Sequence, residues 1–141
     1  MTIRPATADD APECAAIVCE WLSHATWMPS GPSRGELEEM MREGFPKREV
    51  WVAEDEDGVA GYLSFAPGDE RIMGLYVRDP GSGVGKALMD RAKEGRDHLL
   101  LRTHAPNEKA HRFYEREGFA FTERDVEGGE GVTEHVMEWR R

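Results

Sequence analysis

The stretch from Ile72 to Leu88 constrains the fold of this chain more than any other. An apolar run of the kind found in buried strands ends at Val77 and is followed by Asp-Pro, then by glycine at positions 81, 83 and 85. From Val84 onward the apolar residues recur at helical spacing. The pattern predicts a strand, a glycine loop and a helix. Because glycine adopts positive φ and the first turn of a helix has unpaired N–H groups, such a loop can bind an anion.

The spacing excludes a P-loop. That motif requires Ser or Thr directly after its Gly-Lys pair, whereas Ala87 follows Gly85 and Lys86. Its first glycine would have to stand at position 80, which is proline in this chain.

The spacing also excludes a dinucleotide-binding loop. That motif requires Gly-x-Gly-x-x-Gly and an acidic residue after the next strand. Counted from Gly81, the third glycine comes one position early, and Arg102 follows the apolar run 99–101. For the loop taken alone, the alternative is a tight strand-to-helix turn that binds nothing.

A second motif follows the loop, Asn107-Glu-Lys-Ala-His-Arg-Phe-Tyr-Glu-Arg-Glu-Gly-Phe119. A glycine loop followed by Asn-x-x-Ala-x-x-Phe-Tyr-x-x-x-Gly-Phe resembles the GNAT superfamily of acetyl-CoA-dependent N-acetyltransferases. The second pattern is matched at every defined position, and the resemblance extends from Ile3 to Trp139. In one respect the loop departs from the family: it is shorter than usual, and Pro80, which has no N–H, stands where the family has Gln or Arg. We therefore expect pyrophosphate contacts that are weaker or rearranged.

The resemblance implies that acetyl-CoA is the acetyl donor and that the acceptor is a primary amine of a small molecule or peptide. In the family the pantetheine arm runs along the central strand like an added strand, and the pyrophosphate lies at the glycine loop. The residues that this arrangement places against the coenzyme are Leu75, Tyr76, Val77, Gly81, Ser82, Gly83, Val84, Gly85, Lys86 and Asn107. A helix cap is the alternative role of Asn107.

Tyr114 is the general acid that the resemblance implies. Asn107, Ala110, His111 and Tyr114 are spaced i, i+3, i+4 and i+7, which directs them to one side of a helix. A phenol of pKa about 10 can protonate a thiolate whose conjugate acid has a pKa of about 8.5 at a cost of ~2 kcal/mol. The alternative is a half-buried aromatic residue with a packing role only.

The general base and the acceptor contacts stay open. Glu70, His104 and His24 are admissible bases, and so is a chain of water molecules. Trp27 and Met28 lie in a turn-rich segment that borders the acceptor pocket in the family, so they either line that pocket or cover the edge of the core.

The whole chain is predicted to form a single α/β domain, residues 1–141, with a mixed central sheet flanked by about four helices. Ser33 and Glu36 are spaced as a capping box, and Asp57-Gly58 is expected to close a hairpin. The predicted strands are 2–6, 50–54, 59–65, 71–77, 98–103, 119–124 and 133–139, and the predicted helices begin at Thr7 or Asp9, at Ser33, near Val84 and at Asn107.

Composition excludes several classes of protein. The formal net charge of −10 argues against a nucleic-acid partner and favours a cationic acceptor, although solubility alone also explains it. No apolar run is long enough for a membrane span and no leader pattern is present, so we expect a cytoplasmic protein, monomeric or homodimeric. Cys14 and Cys19 lie five apart in a predicted helix and are expected to be reduced packing residues. No metal-ligand spacing is found.

Two other functions remain admissible at this stage. The departure at Pro80 is compatible with a non-catalytic domain that binds acyl-CoA without transferring the acyl group. The acidic surface is compatible with an interaction module that kept the fold and lost the coenzyme.

Overall fold

One seven-stranded mixed sheet runs through the protein, and the computed structural model describes all 141 residues. The strands are β1 (Thr2–Pro5), β2 (Glu49–Asp55), β3 (Gly58–Ala66), β4 (Arg71–Val77), β5 (His98–His104), β6 (Ala120–Val126) and β7 (Glu134–Arg140). Their order across the sheet is β1-β2-β3-β4-β5-β7-β6. All neighbours are antiparallel except β4 and β5, which are parallel. The predicted α/β class with a mixed sheet is confirmed.

Four α-helices cover the sheet, as expected: α1 (Ala11–His24), α2 (Arg34–Gly44), α3 (Val84–Lys93) and α4 (Glu108–Arg116). Local signals in the sequence set their first residues. The Ser33 hydroxyl accepts from the Glu36 amide at 3.2 Å, and the Glu36 carboxylate accepts from the Ser33 amide at 3.1 Å. This capping box satisfies donors that the first turn of α2 cannot pair internally. A short 3₁₀ turn, Ala8–Asp10, precedes α1, so that helix begins later than the sequence predicts.

The alternation of side chains in β3 produces two apolar cores, one on each face of the sheet. Tyr62 and Ser64 face α1 and α2, whereas Leu63 and Phe65 face α3 and α4. Leu63 and Phe65 are fully buried in the larger core, together with Leu88 of α3. The sheet therefore separates the two cores. A ligand that contacts groups on both faces must lie at an opening in the sheet.

That opening lies between β4 and β5. Only Arg71–Leu100 and Ile72–Leu101 pair across these two parallel strands, and the remaining residues of both strands diverge. The divergence begins at a bulge in β4, because Gly74 pairs with Ser64 and Ile72 with Phe65 while Met73 is left without a partner.

Two further features are the state of the cysteines and the character of the helices. Cys14 is buried and Cys19 is half-buried, and both are free. Burial raises the pKa of the Cys14 thiol to about 12, which keeps it protonated. None of the helices combines the length and the apolar character that crossing a bilayer requires.

Candidate active site

The free edge of β4 is the first element of the site. Leu75, Tyr76 and Val77 pair with β3 on one side, and their other side faces the gap rather than β5. Strand residues whose main-chain groups lack a neighbour can pair with an extended ligand. The gap therefore offers one strand-like binding edge that is open to both faces of the sheet.

The loop between β4 and α3 presents a row of unpaired amides. The N–H groups of this segment that donate to no main-chain carbonyl are those of Asp79, Gly81, Gly83, Val84, Gly85 and Lys86. Gly81 has φ +83° and Gly83, the N-cap of α3, has φ +88°. A Cβ at either glycine would meet no atom within 4 Å, so the approach to these amides is open. With the positive end of the α3 dipole, they form a site for an anion such as a diphosphate.

The basic side chains of this loop are already paired. Arg78 binds the Asp55 carboxylate at 2.5 Å and Asp79 at 3.0 Å, and these partners raise its pKa. The Lys86 amino group lies 3.3 Å from Asp90, which raises the pKa of that amine. An anion at the loop is therefore bound chiefly by main-chain donors.

Unpaired positive charge lies instead on α4. A cleft of about 880 Å³ separates the loop from α1 and from the start of α4, and Pro80, Lys109 and Arg112 line it. Neither Lys109 nor Arg112 has an acidic partner within salt-bridge distance, so both can face an anionic ligand. Asn107 also borders this cleft, and its side-chain Oδ1 accepts from the Ala110 amide at 3.4 Å, which caps α4.

Two of the expected coenzyme contacts have packing roles. Val84 is buried and sits beneath Gly61 of β3. A Cβ on Gly85 would lie 3.3 Å from the Phe113 ring, so glycine at this position allows α3 and α4 to approach closely. Ser82 is exposed, and its amide donates to the Asp79 carbonyl at 3.3 Å.

Tyr114 approaches the gap from the α3 and α4 face. Its ring packs on Phe113 and Phe119, with centroids 5.5 and 5.8 Å away. Burial raises the pKa of the Tyr114 phenol, and the nearby Tyr76 hydroxyl adds to that increase. Tyr76 packs with α1 in the core on the opposite face, so the two tyrosines lie on opposite faces of the sheet.

An aromatic cluster closes the gap on the α1 face. The Trp21 ring contacts Tyr76 edge-on at 5.3 Å and Trp27 at 5.7 Å, and it stacks on His104 at 6.0 Å. Trp27 also contacts His104 at 5.2 Å. Rings with this separation form a surface that attracts cations through their π-electron faces.

A carboxylate completes this cluster. The carboxylate of Glu130, in the loop before β7, lies 2.8 Å from His104 Nε2 and accepts a hydrogen bond when that nitrogen carries a proton. Burial and the Glu130 charge raise the pKa of Tyr76 to about 12. Glu134 lies 3.9 Å from the same His104 nitrogen and is bound by Arg102 at 2.7 Å. The α1 side of the gap is thus aromatic and negatively charged.

The candidate bases lie in different parts of the molecule. Glu70 stands at the opposite end of β4, 3.3 Å from His98, and is remote from Tyr76. His24 is exposed at the end of α1 and pairs with Glu20 at 3.0 Å. His104 alone among the three side chains borders the gap on the α1 side.

The α1 side of the gap also contains residues that the sequence did not indicate. A cavity lies between the sheet and the helices α1 and α2, and it is lined by Trp21, Met28, Arg48, Ser64 and Glu130. Trp27 lines the neighbouring cleft. A tryptophan in an amphipathic helix and a glutamate in a glycine-rich loop carry no local signal, since only the tertiary fold brings them together.

The comparisons with known proteins decide the family. The family model described as acetyltransferase (GNAT) domain matches residues 46–120. A protein of Escherichia coli named peptidyl-lysine N-acetyltransferase YjaB is 30% identical over 128 residues, which are 88% of this chain and 85% of that protein. The chain belongs to the GNAT acetyltransferase family. The expected enzyme class, an acyltransferase that uses acetyl-CoA as co-substrate, is confirmed with it.

Solved structures agree with a GNAT fold. The solution structure of apo YjaB from Escherichia coli superposes with a TM-score of 0.77 at 27% identity, covering 98% of this chain and 96% of that one. The structure of yncA, a putative acetyltransferase from Salmonella typhimurium solved with its cofactor acetyl-CoA, superposes with a TM-score of 0.74 at 21% identity. It covers 99% of this chain and 93% of that one, and the likeness is one of fold. A second relative from Escherichia coli, peptidyl-lysine N-acetyltransferase YiaC, is 25% identical over 97% of this chain and 95% of its own length.

Proposed function

We propose that this protein transfers the acetyl group of acetyl-CoA directly to a primary amine at the end of a flexible chain, as in a lysine side chain. The names of YjaB and YiaC, both peptidyl-lysine N-acetyltransferases, support this acceptor class. The observation that carries the proposal is the gap between β4 and β5, which Tyr114 borders from one face and His104 from the other.

The coenzyme would lie along the free edge of β4. Between Leu75 and Val77, the main-chain groups of β4 that point away from β3 are free to pair with a pantetheine arm, which contains amides that can pair like a strand. The open amides from Gly81 to Lys86 would hold the pyrophosphate, with Ser82 at the rim. Beside the free edge of β4, a main-chain N–H aimed at the thioester carbonyl would also stabilise the oxyanion, a contact typically worth about 10²–10³ in rate.

The acceptor amine would enter between the aromatic rings on the opposite face. Glu130 and the rings of Trp21 and Tyr76 attract a protonated amine, which must lose a proton before it attacks. His104 would take that proton, and two features support this role: its ring lines the cavity, and its Nε2 contacts the Glu130 carboxylate.

Tyr114 would then protonate the departing thiolate. The amine nitrogen bonds to the carbonyl carbon, the carbon–sulfur bond breaks, and the phenol proton moves to sulfur. The proton that the nitrogen releases as it becomes an amide then restores the phenol. Because burial raises the pKa of Tyr114, the phenol stays protonated throughout the neutral pH range. The same desolvation raises the proton affinity of a thiolate in the gap, which keeps the transfer feasible.

The test is a thiol-release assay with acetyl-CoA and a panel of lysine peptides and simple amines, with mass spectrometry of the products. We expect an acetylated amine, and Tyr114→Phe is expected to reduce kcat by about 10²–10⁴-fold, the usual range for general acid catalysis. Stabilisation by acetyl-CoA in thermal unfolding should persist in Tyr114→Phe, which separates chemistry from binding. Coenzyme binding without transfer to any amine would refute the activity, and an unchanged kcat in the variant would refute the acid role.

A further inference from the structure

The acceptor cavity has two chemically different ends. It occupies about 270 Å³ between the sheet and the helices α1 and α2, which is small for a ligand pocket and suited to one side chain or a small molecule. Its middle is apolar, with walls from Leu22, Met28, Met41 and Phe45. A straight aliphatic chain fits such a wall better than a polar or branched group.

The end at the gap is acidic and aromatic. Glu130 and His104 border it, and the Tyr76 ring forms its floor. Under the proposed function, on which this inference rests, the reacting amine lies at this end because the thioester can be reached only through the gap.

The far end is basic and contains an unsatisfied hydroxyl. Arg48 lines it and pairs with no carboxylate of the chain. Ser64 is only 4% exposed, and its Oγ has no hydrogen-bond partner. Leaving a buried hydroxyl unpaired is unfavourable, so a ligand oxygen at this end would satisfy it. Arg48 also lies close enough to Tyr62, on the same wall, to counteract part of the rise in that phenol's pKa.

The register of the strands gives the spacing between the two ends. Ser64 pairs with Gly74, two residues before Tyr76 along β4, which is about 7 Å of strand. Arg48 precedes Glu49, which pairs with Phe65, so its backbone lies somewhat farther along the same wall. An amine and an anionic group joined by a chain of lysine length would contact both ends at once.

We propose that the acceptor is an ω-amino carboxylate, whose amine reacts at His104 and Glu130 while its carboxylate binds Arg48 and the Ser64 hydroxyl. Free lysine-like amino acids and the carboxyl-terminal lysine of a peptide share this chemistry. A lysine inside a peptide lacks the carboxylate and should be the poorer acceptor.

The test compares two acceptors that differ in one group, Nα-acetyl-lysine and Nα-acetyl-lysinamide. We expect the acid to have a kcat/KM about 10- to 100-fold higher than the amide, the range of a charge-assisted contact. Dipeptides and longer peptides with a free carboxyl-terminal lysine, compared with 6-aminohexanoate, distinguish a peptide terminus from a free ω-amino acid.

Two variants locate the effect. Arg48→Ala should raise KM for the acid and so remove most of the preference for the acid over the amide, and Ser64→Ala should reduce the preference in part. Lys47→Ala removes the same charge at the preceding exposed position, which does not line the cavity, and should keep the full preference.

Each outcome bears on a distinct claim. Equal use of acid and amide, a preference that survives Arg48→Ala, or a preference lost equally in Lys47→Ala would overturn this inference while the acetyltransferase activity stands. Turnover of other amines but of neither lysine derivative would also overturn it. Failure to acetylate any amine would instead refute the proposed function and this inference with it.

Discussion

The Lys86 amino group lies 3.6 Å from the carboxylate of Glu117, so the first turn of α3 is tied to the residue that follows α4. The Glu117 side chain is only 7% exposed and also accepts from Lys93 at 3.4 Å. We therefore expect the Lys86 side chain to contribute little to the binding of an anion at the loop, and the main-chain amides to contribute most of it.

A first prediction separates main-chain from side-chain contacts to acetyl-CoA. Lys86→Ala should change KM for acetyl-CoA by less than about twofold, because exposed ion-pair contacts are weak. Gly83→Ala should raise that KM by up to about tenfold, because φ +88° strains any residue with a Cβ by roughly 1–2 kcal/mol and the strain distorts the amide row. Steady-state kinetics at saturating acceptor measure both. The reverse order of effects would contradict main-chain binding of the diphosphate.

A second prediction concerns Pro80. Pro80→Arg places a guanidinium in the cleft that Lys109 and Arg112 line, and we expect KM for acetyl-CoA to fall about two- to fivefold at low ionic strength. The gain should shrink as salt is added, since exposed charges are screened. Pro67→Arg, far from the cleft, is the matched control and should have no effect. A Pro80 variant with unchanged KM at every salt concentration would disprove a role for this position.

A third prediction contrasts two glycines of different surroundings. A Cβ on Gly61 would lie 2.9 Å from the Tyr76 carbonyl oxygen, a main-chain atom that cannot move cheaply, so Gly61→Ala should destabilise the fold by roughly 1–3 kcal/mol. Gly44, at the end of α2, has helical φ and nothing within 4 Å, so Gly44→Ala should stabilise by about 0.5–1 kcal/mol. Urea unfolding of both variants measures the difference, and equal midpoints would be inconsistent with these contacts.

A fourth prediction concerns stability in acid. The Asp10 side chain is 7% exposed and binds Arg4 at 2.8 Å, and this hydrogen-bonded pair lowers the pKa of Asp10 below its ordinary value of 3.8. A carboxyl with a depressed folded-state pKa contributes fully above pH 3.8, and its contribution is lost as the pH falls through the lower folded value. Asp10→Asn should therefore cost about 2 kcal/mol at pH 7, and the cost should decrease as the pH falls below 3.8.

The control for that prediction is Asp9→Asn, which changes an exposed neighbour and should leave stability nearly unchanged. Urea midpoints at pH 7, 4 and 3 measure the pH dependence. A difference between Asp10→Asn and the wild type that does not shrink in acid would show that the charge of Asp10 is not the source of its effect.

The sequence predicted those features whose causes are local. The bounds of β4 were predicted without error because an apolar run is interrupted on both sides, and the start of α2 because Ser33 and Glu36 cap it. The loop residues around Gly83 were placed correctly next to a helix N-terminus for the same reason. Their contacts with the coenzyme stay predictions.

The aromatic cluster on the α1 side of the gap depends on distant residues and was not predictable. Trp21, His104 and Glu130 come from α1, the end of β5 and a glycine-rich loop, and they meet only after the sheet has formed. The charge of Lys86 was visible in the sequence, but its pairing with Asp90 and Glu117 was not. A list of basic residues near a motif therefore overstates the number that are free to bind a ligand.

The short β4–β5 pairing has a mechanical consequence. Two residue pairs join the half of the sheet that contains β1 to β4 to the half that contains β5 to β7, so those pairs act as the hinge of two stiff plates. An extended ligand bound between β4 and β5 would supply hydrogen bonds that these strands do not make with each other, and it would hold the two halves of the sheet together. The bound coenzyme would then be part of the structural framework during each turnover. The two halves of the sheet would move more freely relative to each other in the enzyme without coenzyme.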